Sequence, residues 1–377
     1  MIHNKNKFKY IILVIMGLAL LSGIVLGSIF FIKERKKSDV FVNANNNSVL
    51  IFEPLDFHGE CLPTWVKYFN TMGYHVDLMI TPKMAKDMPL VRLPKNSDYS
   101  IIEVLPKDRV KILENKKILN YKHILVSSSW AFDSDYHSIL HEFKILNNHP
   151  SLHIVEHSLR NIDRMDEQSF LDKNRLITLW DFKKGIMVNP SDFGNVQITP
   201  KNVTTFIVVG THRKDFQTLF NAAEKLLEKT ENFHIIIVGK FFPQKYSIPE
   251  KIKPFITFTG RINYPQVYYL MERADFYLPL WDKNIHKTFL KDGRVSGSLQ
   301  LILGFKKIPI MQKEWAELYK FDNKNSLTYN SNNLAPEMLK AIKMSPKTYR
   351  EYQRHLHEKA ADIQRKSWFN FKKMFKK

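Results

Sequence analysis

Three short runs in the carboxyl half constrain the fold more than any other feature of the chain: FIVVG at 206–210, FHIIIVG at 233–239 and FITFTG at 255–260. Each is rich in apolar and β-branched residues without strict alternation, and each stops at glycine. A strand that is apolar on both faces has to be covered on both faces, as in a parallel sheet. After the first run, Phe216, Leu219, Phe220, Ala223, Leu226 and Leu227 recur at the spacing of one helix face. A second helical stretch covers 264–274, and strand-like runs at 275–280 and 308–311 flank a third helix at 298–304. Strands alternating with helices predict a doubly wound α/β sheet.

The amino half repeats the plan with weaker signals. Strands are expected at 49–52, 76–80, 101–105, 123–127 and 152–156, with helices ending near 72 and covering 138–146. The loop after the first strand reads Glu53-Pro54-Leu55-Asp56-Phe57-His58-Gly59-Glu60. Residues 176–201, punctuated by Gly185, Pro190, Gly194 and Pro200, read as the connection between two domains. Pro346 opens a long basic helical stretch. The fold class expected is therefore α/β, with two Rossmann-like domains facing a cleft. The domain ranges are a basic tail at 1–9, a membrane span at 10–32 and a tether at 33–48. They continue with an N-terminal Rossmann-like domain at 49–195, a C-terminal Rossmann-like domain at 196–345 and a basic helical segment at 346–377.

Charge separates the ends from the body. The formal net charge is +20, of which residues 1–37 hold +6 and residues 340–377 hold +9. The +5 left over the middle is too small for a duplex-reading surface, so no nucleic-acid partner is expected. Basic ends of this kind suit anionic lipid. Residues 10–32 carry no charge and are long enough to cross a hydrocarbon core, which predicts a single uncleaved membrane span. A cleaved signal is the rival, although its apolar region is usually shorter. The basic cluster at 33–37 favours a cytosolic body and leaves a lumenal one open. In the tail, Trp368, Phe371 and Phe375 share one helical stripe, which meets the membrane with the neighbouring lysines or packs back onto the amino domain; the two are not exclusive, since Trp368 can dock while Lys372–Lys377 remain at the membrane. Cys61 is the only cysteine, which rules out an intramolecular disulfide and a cysteine-built metal cluster.

The segments FIVVGTHRKDFQTLFNAAEKL, FHIIIVG, ITFTGRINYPQVYYLMERADFYLPL and GRVSGSLQLILGFKKIPIM together resemble the carboxyl-terminal domain of GT-B glycosyltransferases of the family 4, or group 1, type. The resemblance covers about a third of the chain. It implies a transferase, hexosyltransferase-like, that moves a sugar from a nucleotide-sugar to a glycan or lipid-linked acceptor with retention of configuration. It also implies that residues 49–195 bind the acceptor and residues 196–345 the nucleotide-sugar, with no cofactor beyond this co-substrate; no His-x-x-x-His pair with a convincing third ligand occurs, so no metal is expected.

By position, Arg213 and Lys214 resemble the family's basic pair that holds the donor diphosphate. A leaving diphosphate gains charge, which cations and a helix amino terminus stabilise. Gly293-Arg294-Val295-Ser296-Gly297-Ser298 falls where the family places an acidic residue in a glycine-rich loop, yet no acid lies between Asp292 and Glu314. Small residues opening a helix still form an anion nest, so Arg294, Ser296, Gly297 and Ser298 are candidate donor contacts, with Lys291 a further source of charge. His58 and Gly59 resemble the loop that approaches donor and acceptor. His157, after the strand LHIV, falls where related enzymes place a histidine facing the sugar; His157 and His58 are the catalytic candidates. Two alternatives stand: a Rossmann-built scaffold that has lost catalysis, and a metal-dependent GT-A enzyme using Asp133 and Asp135. No Walker motif and no Gly-x-Ser-x-Gly elbow occurs.

Overall fold

The structure is a computed structural model that describes residues 40–128, 142, 144–158, 174–182, 184–194, 203–211, 214–287, 290, 293–331 and 333–376. The expected span at 10–32, most of the expected helix at 138–146, Asp133, Asp135, Arg213 and Lys291 lie outside them. Among the described residues no helix is long and apolar enough to cross a membrane.

Strands β1 (Ser48–Phe52), β2 (His75–Ile80), β3 (Tyr99–Glu103), β4 (His123–Val126), β5 (Leu152–Glu156), β6 (Leu176–Thr178) and β7 (Ile186–Met187) form one sheet. A second is built from β8 (Thr204–Val209), β9 (Phe233–Val238), β10 (Ile256–Gly260), β11 (Phe276–Tyr277), β12 (Ile308–Gln312) and β13 (Leu327–Tyr329). Their orders are β3-β2-β1-β4-β5-β6-β7 and β10-β9-β8-β11-β12-β13. Neighbouring strands pair in parallel. Each sheet winds outward one way from its first strand and then the other way. The direction therefore reverses between β1 and β4, and again between β8 and β11. In open α/β sheets the crevice outside the carboxyl ends of the strands at such a reversal is where ligands sit.

Local chemistry explains the helices that frame this crevice. Helix α1 (Leu62–Thr71) opens with Pro63 in its first turn and buries Trp65, Val66, Tyr68 and Phe69. The Asp215 carboxylate caps α2 (Phe216–Leu227) by accepting from Thr218 N at 3.1 Å, and that helix buries Phe216, Leu219, Phe220, Ala223 and Leu226. Helix α3 (Tyr264–Arg273) begins with a reciprocal capping box between Asn263 and Gln266. Ser296 caps α4 (Gly297–Phe305), which is buried from Ser298 onward.

The final helix, α5 (Pro346–Phe375), ties the two sheets together. Tyr349 near its start packs on Phe276 of β11 and donates to the Asp275 carbonyl at 3.2 Å. Further along, Gln364 donates to Ser191 O at 3.0 Å and Asn370 to Met187 O at 2.8 Å. Its last turns bury Phe371 and Phe375 against Tyr68, Phe69 and His153 of the N-terminal sheet's layer. Trp368 lies 5.2 Å from the Tyr68 ring. The aromatic stripe of the tail is thus docked on the protein, while Lys372, Lys373 and Lys376 on the same turns are exposed.

Two expectations need correction. Residues 176–201 are more than a connection: β6 and β7 extend the N-terminal sheet within them, three and two residues long, too short to register as patterns. The strand expected at 275–280 stops at Tyr277, because Leu280 takes a left-handed backbone (φ 49°) and Pro279 cannot donate to a ladder.

Candidate functional site

The loops at both reversal points converge. On the N-terminal side, Glu53 follows β1 and is fully buried. Its carboxylate accepts from Ser127 Oγ at 2.6 Å and Ser128 Oγ at 2.7 Å, both after β4, and from Leu55 N at 2.9 Å. Burial raises the Glu53 carboxyl to about 7, against the opposing pull of the His58 charge and the two serine hydroxyls.

His58 stands in a left-handed conformation (φ 71°), which turns the chain into the one-turn helix Gly59–Cys61. Its ring lies 4.3 Å from that of His157, between centroids, so the two histidines singled out in separate stretches of sequence meet here. His157 Nε2 faces the Ser127 carbonyl at 3.2 Å and must donate to it, which leaves Nδ1 as an acceptor. Burial, then the His58 charge, holds the His157 imidazole neutral, well below the ordinary histidine range.

Glu60 reaches across to the other half. Its carboxylate lies 3.4 Å from His58 Nδ1 and accepts from Tyr264 OH of α3 at 3.2 Å. Burial acts to raise it, but the His58 hydrogen bond and charge, with the Tyr264 hydroxyl, keep it below the usual carboxylate range. A Cβ added to Gly297 would collide with Glu60 Oε1, so this carboxylate sits at the mouth of α4. Gly59 is also tightly placed, since a Cβ there would fall 2.9 Å from the Tyr264 ring. A short backbone bridge completes the seam: Ser158 pairs with Arg294, and Val295 N donates to His157 O at 2.9 Å.

On the C-terminal side Lys214, after β8, is buried. Its Nζ donates to the Pro279 carbonyl, which the early stop of β11 leaves free, and lies 3.3 Å from Ser298 Oγ in the first turn of α4. The ammonium also stands 5.5 Å from the centroid of the Trp281 ring. Among the described residues no carboxylate pairs with it, and burial lowers it to about 7. Of the candidate donor contacts, Ser298 stands beside Lys214, Ser296 caps the same turn, and Arg294 has its backbone in the seam to Ser158. Three participants were not singled out in the sequence: Glu53, Glu60 and Tyr264. Glu53 directly after an apolar strand and Glu60 beside Gly59 were the only signals for two of them.

No protein-family model matches the chain, and no curated protein matches it by sequence. Solved structures do match. A glycosyltransferase from Rickettsia africae ESF-5 aligns with a TM-score of 0.58 at 13% identity, over 88% of this chain and 98% of that one. Anabaena HepE, solved in complex with UDP-glucose, aligns with a TM-score of 0.56 at 11% identity, over 87% of this chain and 100% of its own. The fold is GT-B-like. It is not confined to transferases: a UDP-N-acetylglucosamine 2-epimerase aligns with a TM-score of 0.52 at 8% identity, over 87% of this chain and 96% of that one. The GT-B-like frame, with its two parallel sheets, removes the fold on which the GT-A alternative depended.

Proposed function

We propose that the chain is a nucleotide-sugar-dependent glycosyltransferase of the family 4 type. The observation that carries this reading is Lys214: a buried ammonium without a carboxylate partner among the described residues, at the β8/β11 reversal and beside the first turn of α4. An ammonium in that place is satisfied by an anionic ligand, and a diphosphate at a helix amino terminus meets both the cation and the unpaired backbone N–H groups. Docking would restore Lys214 to its charged form. Arg213, its sequence neighbour, adds a second cation in this proposal, with Ser296 and Ser298 as hydroxyl contacts.

The opposite wall supplies groups suited to sugar hydroxyls: neutral His157 with Nδ1 as acceptor, His58 at the tip of its loop, and the Glu60 carboxylate. The diphosphate charge is met in this scheme by Lys214, Arg213 and the helix terminus, which makes the transfer metal-independent; that it retains configuration rests on the resemblance to family 4. A span at 10–32 would hold the protein at a membrane with the body cytosolic, next to a lipid-linked acceptor. The scaffold alternative rested on the missing acid between Asp292 and Glu314; Glu60 places a carboxylate at that same loop from the other half.

The test is titration of the full chain with nucleoside diphosphates, followed by transfer or hydrolysis of the matching nucleotide-sugar. At about 100 times Kd, the bound diphosphate should raise stability by about 2.7 kcal/mol. Failure of every common nucleoside diphosphate to bind the folded protein would remove the proposal. Conversion of the donor to a free epimer without transfer would assign the fold's other chemistry.

A further inference from the structure

The cleft uses the carboxyl ends of the strands. At the opposite end of the N-terminal sheet, where β4 to β7 begin, the last turns of α5 close over a cavity of about 360 Å³. Arg175, just before β6, and Lys373, on α5, bring two cations to it, and no described carboxylate lines it. The Arg175 guanidinium is held by donation to the Pro150 carbonyl. Neither Arg175 nor Lys373 has an ion-pair partner among the described residues. Asn174 and Asn370 add amide groups; one hydrogen of Asn370 Nδ2 is used on Met187 O. Ile186 and Met374 give the same cavity an apolar side.

Two like charges lining one cavity are mutually unfavourable until an anion enters, and an oxyanion with several acceptors suits a guanidinium and an ammonium together. The apolar side gives room for an organic substituent. We propose that this cavity is a second binding site, for a phosphate ester, with the phosphate on Arg175 and Lys373 and its organic part against Ile186 and Met374. The site stands apart from the cleft and does not rest on the glycosyltransferase reading. The same chemistry is offered by a soluble phosphate ester and by the head group of an anionic lipid.

The experiment titrates the full chain, in a non-ionic detergent, with glycerol 3-phosphate in one arm and with dioctanoyl phosphatidic acid in the other. Binding in either arm that persists under saturating UDP, and in the exposed control Lys372→Gln, is expected. The first arm alone indicates a soluble ligand, the second alone a lipid head group. The double substitution Arg175→Gln with Lys373→Gln should weaken binding roughly tenfold or more, since charge-assisted hydrogen bonds are lost. Lys373→Gln alone, at an exposed position, gives a smaller loss in the same direction and keeps the test valid should the double variant fold poorly. No binding in either arm, or an affinity unchanged by these substitutions, overturns the site.

Discussion

In the N-terminal sheet the loops after β1, β4 and β5 gather two carboxylates and two imidazoles. In the C-terminal sheet the loops after β8 and β11 gather a lysine, a tryptophan face and a helix amino terminus. The backbone device is the same in both: a parallel sheet whose winding reverses, with the site at the reversal. What differs is a few loop residues. One wall offers acceptors and proton-holding groups, and the other offers positive charge. The contrast teaches that a repeated architecture acquires polarity through its loops while its strands stay interchangeable in plan, so that function is argued from the loops.

The contrast holds only while the two walls face each other, and α5 ties them. Phe371→Ala, at a buried ring among Trp65, Tyr68 and Phe69, should cost about 3–5 kcal/mol in denaturant unfolding. A loss well under about 1 kcal/mol would mean that the strap is not what seats the halves. Next, Lys214→Met should weaken diphosphate affinity by about 1.5–3 kcal/mol while leaving stability unchanged or higher, because it removes a buried charge. His157→Ala should do the reverse, retaining diphosphate affinity and lowering transfer. Should both variants lose diphosphate affinity equally, the division between the walls is wrong.

The remaining two predictions concern pH. Glu53 carries a raised carboxyl, so between its ordinary value and about 7 the folded chain holds a proton that the unfolded chain has released. Stability should therefore be greatest at the acid end of that window and fall, by roughly 3 kcal/mol, as pH rises through it. Glu53→Gln should flatten that dependence in thermal melts at matched ionic strength; an unchanged slope would place its origin elsewhere. Lys214, lowered to about 7, is neutral in the free protein above that pH. Diphosphate affinity should accordingly strengthen from pH 9 towards pH 7, by at most about 1.4 kcal/mol per unit, and Lys214→Met should show no such trend.

Much of the frame was legible because its strands are apolar on both faces. The runs at 206–210, 233–239 and 255–260 correspond to β8, β9 and β10 within one or two residues. Signals failed where elements were short or where a turn overrode propensity, as in β6, β7 and the truncated β11. The tail left two readings open, and the contacts of Trp368, Phe371 and Phe375 show docking on the N-terminal layer. At the site, His58, His157, Lys214 and the 296–298 turn are legible by residue type and position, and contacts link them in space. Glu53 and Glu60 are not legible, because a carboxylate in a polar loop resembles a solvated one. Their burial is created by partners far away in sequence: Ser127 for Glu53, and Tyr264, 204 positions on, for Glu60.

The closeness of Glu60 to Gly297 makes these two positions a single unit of variation. A methyl at 297 acts as a wedge that pushes the carboxylate off Tyr264 and His58, while the helix behind it can stand unmoved. A side chain at 297 is therefore accepted at the expense of those two contacts, and a shorter residue at 60 removes the conflict. In relatives of this chain the acid and the glycine should be inherited or lost as a pair, although they belong to different sheets and lie more than two hundred residues apart.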